Sequence, residues 1–332
     1  MTGGTGFVGS HTVRALIAAG HRVRLLVRDP RRVPKDIAEG EDPSTAVGDV
    51  TDAASVQEAM EGCDAVWHGA SVYSLDVRRA AAMWRTNVEG ARMVLGAARR
   101  AALDPIVYVS TVFALCPPAR GEVLSGRSEP KHPPGAYYGS KTEAERVARG
   151  FQAEGAAVVT SYPGGAFGPG DPYFGENAQA VRDILTGRVP LGPPGGLTIV
   201  DVRDVALAHA AMFVPGRGPR RYVLSGHNIR FAEIVRILSE LTGRRIFHRT
   251  LPAWSMRPMI SLGNAVQRCL PFRMPFSREG FDAIAWDPHG DDSEARRDLG
   301  FDPRDPRETL ADMVRWMAGE GHISRRQAGK LG

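Results

Sequence analysis

The first nine residues restrict this chain more than any other feature. Gly3, Gly6 and Gly9 recur at a spacing of three, and Val13, Leu16 and Ile17 follow at helical spacing until Gly20 supplies a stop, so a glycine-rich turn opens a helix. Spacing alone carries little weight, because 38 glycines in 332 residues give a particular triplet about 0.5 times by chance. The context decides. Backbone N–H groups at a helix N-terminus attract an anion, and absent side chains let a pyrophosphate come close, so the segment predicts a dinucleotide-binding turn. A strand normally holds such a turn, yet only Met1 and Thr2 precede it. The first strand is therefore expected to be missing, with the true start roughly 5 to 15 residues upstream.

Beyond Gly20 the elements alternate. Val23, Leu25 and Val27 read as a strand ending near Arg28, Ala46-Val47 as a short strand, 52–60 as a helix closed by Gly62, and Ala65 to Trp67 as a strand. A long helix over 77–100, a strand from Ile106 to Val109, a helix from about Tyr137 to Arg149 and a strand from Ala156 to Thr160 follow. This order predicts an α/β fold, a Rossmann-like doubly wound parallel sheet with helices on both faces. Past residue 165 the pattern loosens, with helices predicted over 176–187 and 231–242, a strand or turn running into a helix from Ile199 to Phe213, and a strand from Arg221 to Leu224. The expected division is a dinucleotide domain over 1–165 and 197–226 and a smaller C-terminal substrate lobe over 166–196 and 227–318. A solvated, mobile tail is expected over 319–332.

Composition narrows the class. With 43% hydrophobic and 24% charged residues the chain is ordinary globular protein. The net charge of +5 is spread along the sequence, so no nucleic-acid partner is expected. Cys63, Cys116 and Cys269 have no paired spacing and the nine histidines form no metal motif, so neither disulfides nor a metal site are expected. No apolar run reaches membrane-span length and no export signal opens the chain, which points to a soluble cytoplasmic protein.

Tyr137-Tyr138-Gly139-Ser140-Lys141 holds a Tyr-x-x-x-Lys pair, which puts both side chains on one helix face. Seven tyrosines and four lysines match this spacing by chance about 0.08 times. Ser110-Thr111 ends a predicted strand 26 residues before Tyr137, at the carboxyl edge where such sheets bind ligands. The chemistry suits a ketone that accepts hydride and then needs a proton. Tyr137 can give that proton if its pKa falls towards neutrality. A Lys141 cation ~4 Å away in an effective dielectric near 20 favours the phenolate by ~4 kcal/mol, about three pH units. Thr111 can hold the ketone oxygen by its hydroxyl.

Further segments join these: Thr2-Gly3-Gly4-Thr5-Gly6-Phe7-Val8-Gly9, Gly48-Asp49-Val50-Thr51-Asp52, His68-Gly69-Ala70-Ser71, Asn87-Val88-Glu89-Gly90, Tyr162 to Pro169 and Val200 to Ala206. With them the chain resembles, over essentially its whole length, the extended short-chain dehydrogenase/reductases and within them the NAD-dependent epimerase/dehydratase family. The resemblance implies cofactor contacts from Gly3, Thr5, Gly6, Phe7, Val8 and Gly9, from Asp49 and Val50, and from Gly69, Ala70 and Ser71. It implies the same of Pro163, Gly164 and Ala166, and of Tyr137 and Lys141. Between the two hydroxyls it favours Thr111, with Ser110 as the alternative. One departure is Tyr162, where many relatives carry Arg. A homodimer through helices 77–100 and 137–150 is implied by family habit.

The residue ending the second strand of such a fold reads the adenosine ribose, an acid favouring NAD and an arginine accommodating NADP. Here it is Arg28, with Arg31 and Arg32 close behind and Asp29 as the NAD alternative; NADP is expected ahead of NAD. Only 33 positions separate Gly168 from Asp201, fewer than the resemblance leads one to expect of nucleotide-sugar enzymes, so a small or apolar substrate is expected. Leu251 to Phe276, with Trp254, Met256, Met259, Phe272, Met274 and Phe276, roofs an apolar pocket or simply packs a core. Tyr73 and Phe113 are candidate pocket residues. The features look most like the dihydroflavonol-reductase-like and 3β-hydroxysteroid-dehydrogenase-like branches, which interconvert a ketone and a secondary alcohol. The alternatives are a sugar epimerase or dehydratase that recycles its cofactor, and a non-catalytic NADP-binding regulator.

Overall fold

The computed structural model describes residues 1–38, 43–74, 79–258, 260 and 278–332. The strands of three or more residues are β1 (Arg24–Val27), β2 (Ser44–Val47), β3 (Val66–His68), β4 (Ile106–Val109), β5 (Val158–Pro163), β6 (Gly165–Phe167), β7 (Gly196–Asp201), β8 (Arg220–Leu224) and β9 (His227–Arg230). Helices of eight residues or more are α1 (Phe7–Ala18), α2 (Ala53–Met60), α4 (Ala136–Ala153), α5 (Glu176–Leu185), α6 (Val202–Ala211), α7 (Phe231–Thr242), α8 (Arg278–Trp286) and α9 (Pro306–Gly319). Between α2 and α4, Ala80–Trp84 runs through a π turn, Arg85–Glu89, into Gly90–Arg100 as one helix, α3.

All pairings of the main sheet are parallel, in the orders β8-β5-β4-β3 and β1-β2. Met1 and Thr2 join the two halves. Leu26 N–H donates to the Met1 carbonyl at 2.9 Å, Thr2 N–H to Trp67 at 3.0 Å and Gly69 N–H to Thr2 at 3.2 Å. Thr2 thereby bridges both Leu26 and His68. Met1 and Thr2 thus hold the central place in the sheet, directly before the glycine turn. Chain order reverses there, so a crevice opens beyond the strand ends on either side of it.

The inner strands β3 and β5 are buried along their whole length, as apolar runs covered by helices on both faces must be. On one face Val94, Leu95 and Ala98 of α3 pack with Ala144 and Ala148 of α4 over Ile106 and Val158. On the other, α1 and α6 lie together, and His209 pins them to the sheet through Thr12 Oγ1 at 3.2 Å and Ser161 Oγ at 2.9 Å. A second sheet, β6-β7-β9, pairs β7 parallel to β6 and antiparallel to β9. The C-terminal lobe closes around Val181 and Ile184 of α5, Leu238 of α7, and Leu310, Met313 and Met317 of α9. Gly243 stops α7 in the left-handed region, φ +67°.

The tail differs from the expectation of a mobile segment. Ser324 and Gln327 form a capping box, Ile323 and Ala328 are buried, and the Arg244 guanidinium donates to the Gln327 carbonyl at 2.9 Å. Burial of these two apolar groups against the lobe core holds the last residues in place. In the Pro- and Met-rich stretch, Met256 packs with Ile260 and Phe281, while Trp254 is 76% exposed. Met259, Phe272, Met274, Phe276 and Cys269 lie outside the described residues.

Candidate active site

A cleft of about 720 Å³ opens where the chain order reverses. It brings together Gly3, Thr5 to Gly9, Arg28, Asp49, Val50, Gly69 to Ser71, Tyr73, Thr111, Phe113, Tyr137, Lys141, Pro163, Gly164 and Ala166, all expected from sequence at the site, with Ser110 beside them. Two glycines of the turn are required by packing. Gly3 has φ +76° and a Cβ there would meet Ala70 N at 2.6 Å, while a Cβ on Gly9 would run into the Gly3 carbonyl. Gly6, the N-cap of α1, offers no side-chain cap. The first N–H groups of α1 are thus left for a ligand, and the residues present fit a dinucleotide pyrophosphate.

At the adenosine end Arg28 faces the cleft. Asp29 is engaged elsewhere, because Arg31 donates to both its oxygens at 2.9 and 3.0 Å. Sequence reasoning missed the closure of this end. Tyr173 reaches from the second lobe to Thr5 Oγ1 at 3.4 Å, and the Arg32 guanidinium stands 5.4 Å over its ring.

At the other end, the first two turns of α4 present Tyr137 and Lys141. Lys141 is buried, and its ammonium donates to the Val109 carbonyl at 2.8 Å. Burial lowers its pKa to about 8, against the pull of the Glu145 carboxylate. Tyr137 is half-buried, and the expected fall of its pKa is not found. Burial, reinforced by the Glu279 carboxylate, pushes the phenol up, while the Lys141 ammonium is directed at the β4 backbone. Thr111 caps the turn Val112–Leu115, accepting from Phe113 N–H at 3.3 Å and donating to the Pro163 carbonyl at 3.5 Å. The buried Ser110 hydroxyl makes no hydrogen bond among the described residues.

Around these groups stands an aromatic wall. The expected Tyr73 ring lies 4.5 Å from Tyr137 and Phe113 lies 5.3 Å from Tyr138. Tyr138 and Trp286, 5.5 Å apart, were not foreseen, although Tyr138 adjoins Tyr137. The π turn supplies Asn87, which is buried. Its Oδ1 accepts from Ser71 Oγ at 3.0 Å and Val72 N–H at 2.8 Å, and its Nδ2 donates to Ser140 Oγ at 3.0 Å. The Ser140 hydroxyl in turn donates to the Tyr137 carbonyl at 2.7 Å, so the amide ties the cleft-facing loop to α4. Among the described residues no group of three His, Cys, Asp or Glu is arranged to hold a metal ion, and no helix is long and apolar enough to cross a membrane.

Comparison with known proteins agrees with this geometry. The chain is 32% identical to a Synechocystis sp. protein named "Putative dihydroflavonol 4-reductase" over 97% of this chain and 95% of that protein. It is 29% identical to a Stigmatella aurantiaca 4-hydroxy-2-methyl-3-oxo-4-farnesyl-3,4-dihydroquinoline-1-oxide ketoreductase, over 98% of each chain. Among solved structures, the crystal structure of gox2253 matches with a TM-score of 0.82 at 29% identity, covering 97% of this chain and 98% of that one. DesIV, a dTDP-glucose 4,6-dehydratase from Streptomyces venezuelae with NAD and TYD bound, shares the fold with a TM-score of 0.77 at 22% identity, over 97% of each chain. The family model described as NAD dependent epimerase/dehydratase family matches residues 1–225, the part that carries the glycine turn, the Tyr–Lys pair and the sheet between them. The chain is an NAD(P)-dependent oxidoreductase of extended short-chain dehydrogenase/reductase type, and it belongs to the NAD-dependent epimerase/dehydratase family.

Proposed function

We propose that this protein is an NADP(H)-dependent reductase interconverting a ketone and a secondary alcohol on a small or apolar substrate. In this reading residues 1–165 and 197–226 hold the dinucleotide, and 166–196 and 227–318 the substrate. The observation that carries it is the aromatic wall of Tyr73, Tyr137, Tyr138 and Phe113 on the same cleft as Thr111 and Lys141. Such a wall suits an apolar carbonyl compound better than a nucleotide sugar. The relatives named as reductases over nearly the whole chain support the same direction. A bound nicotinamide supplies or accepts the hydride. The Thr111 hydroxyl donates to the substrate oxygen, the Tyr137 phenol gives it a proton, and the Lys141 ammonium favours the resulting phenolate and contacts the ribose. Arg28 is the contact to the 2′-phosphate of NADP. A homodimer packed through α3 and α4, in a reducing cytoplasm that keeps Cys63 and Cys116 as thiols, completes the proposal.

The test is to denature the purified protein, identify any nucleotide released, and follow NADPH oxidation with ketones of graded size. Free exchange of NADPH and turnover support the reading, whereas tightly retained NAD without net turnover replaces it with a recycling epimerase or dehydratase. Tyr137→Phe is expected to cut kcat by about 10²- to 10⁴-fold with NADPH binding kept. Arg28→Ala is expected to weaken NADPH on the order of tenfold and NADH hardly at all, and equal effects on both cofactors refute the NADP assignment.

A further inference from the structure

A carboxyl from the second lobe stands at the start of α4. Glu279, in the first turn of α8, is 9% exposed, and its Oε1 accepts from the Tyr137 N–H at 3.3 Å. Its backbone carbonyl accepts from the Tyr138 hydroxyl at 3.4 Å. α4 has no side-chain cap of its own. Gly135, just before it, has φ +114°, and a Cβ there would collide with the Glu279 carboxyl. The glycine thus leaves the space that the carboxyl fills. Among the described residues Glu279 Oε2 is buried without a hydrogen-bond partner, an arrangement that costs stability unless something else holds the group there.

We propose that Glu279 is a positioning residue of the candidate active site: it caps the helix that bears Tyr137 and its charge adds to the burial that opposes ionisation of the phenol. The inference rests on the reading of Tyr137 as proton donor. A carboxylate beside a helix N-terminus is favoured by the backbone N–H groups, and a like charge near the phenol disfavours its ionisation. Among the described residues the groups facing Glu279 are Tyr137 and Tyr138 on α4 and Asp282 on its own helix; Asp282 is paired with Arg278 at 3.8 Å and also feels Arg257. Burial raises the Glu279 pKa to about 7, helped by Asp282 and opposed by the Tyr137 and Ala136 N–H groups. Its charge therefore changes near neutral pH, being lost as the pH falls.

Glu279→Gln keeps an oxygen acceptor for the Tyr137 N–H and removes the charge. Phenolate absorbance, taken as the difference between each protein and its Tyr137→Phe counterpart, is expected to titrate at least about half a pH unit lower in Glu279→Gln, a change of about threefold in the ionisation constant. In ketone reduction the alkaline limb of kcat is expected to move by the same amount with KM unchanged, and an inflection near pH 7 to vanish. Superimposable titrations of the two proteins overturn the proposal. So does an equal loss of kcat in Glu279→Gln and Glu279→Ala with no movement of the pH profile. Because absorbance needs no turnover, a protein that reduces no ketone sinks the functional reading alone.

Discussion

A hydroxyl that is to donate to a ketone oxygen must be able to leave its resting partner cheaply. The Thr111 hydroxyl meets this condition, since its bond to the Pro163 carbonyl is 3.5 Å long, at the weak limit of such bonds. Thr111→Val is therefore expected to lower kcat about 10²-fold with little change in KM, and Ser110→Ala less than about threefold. Steady-state kinetics on the two variants checks the ranking, and the reverse order transfers the donor role to Ser110. The sequence made these groups legible because they lie one and four residues apart. It could not reveal the state of the Tyr137 phenol. Lys141 turns to a carbonyl on β4, and the carboxyl at the start of α4 comes from Glu279, 142 residues further along. A field estimated from i,i+4 spacing alone omits both burial and remote charges.

At the scale of an element, α4 carries Tyr137, Lys141, Glu145 and Arg149 at successive i,i+4 positions, a phenol, a cation, an anion and a cation along one face. Glu145 is fully buried. It accepts from the Arg149 guanidinium at 2.8 Å and from the Tyr162 hydroxyl at 2.6 Å, and Arg149 also donates to Tyr162 at 3.2 Å. Tyr162 is thus tied to both members of this ion pair. The Tyr-x-x-x-Lys spacing and the alternation of elements made the helix itself readable. The meaning of Tyr162 was not, because its partner lies on another element. Removing Arg149 strands a buried carboxylate with one phenol. Arg149→Ala is expected to cost about 3–5 kcal/mol in urea unfolding, whereas a joint Glu145→Gln and Arg149→Met change recovers most of that loss. A double-variant loss equal to the sum of the singles contradicts the pairing.

Across the whole molecule, the alternation of strands and helices was enough to give the parallel sheet and the position of the cleft. What it omitted depends on tertiary contact: the stub at Met1 and Thr2 takes its place by bridging two strands, and the last residues are ordered by burying Ile323 and Ala328. The same layers are pinned by two histidines that titrate only when the layers come apart. His68 shares a 2.7 Å hydrogen bond with Thr2 in the sheet, and His209 joins α1 and α6 to β5. Burial lowers both to about 3, well below the ordinary value near 6.5. In the unfolded chain they bind protons as the pH drops through about 6.5, while in the folded chain they remain neutral until about 3. Stability from this source is therefore complete above pH ~6.5 and is lost on acidification towards pH 3. Two such groups contribute a slope of about 2.7 kcal/mol per pH unit between roughly pH 5.5 and 4. Denaturant unfolding across that range should give the slope, and His209→Asn should reduce its histidine part by about half; an unchanged slope in that variant would mean that acid opens the fold through its carboxylates instead.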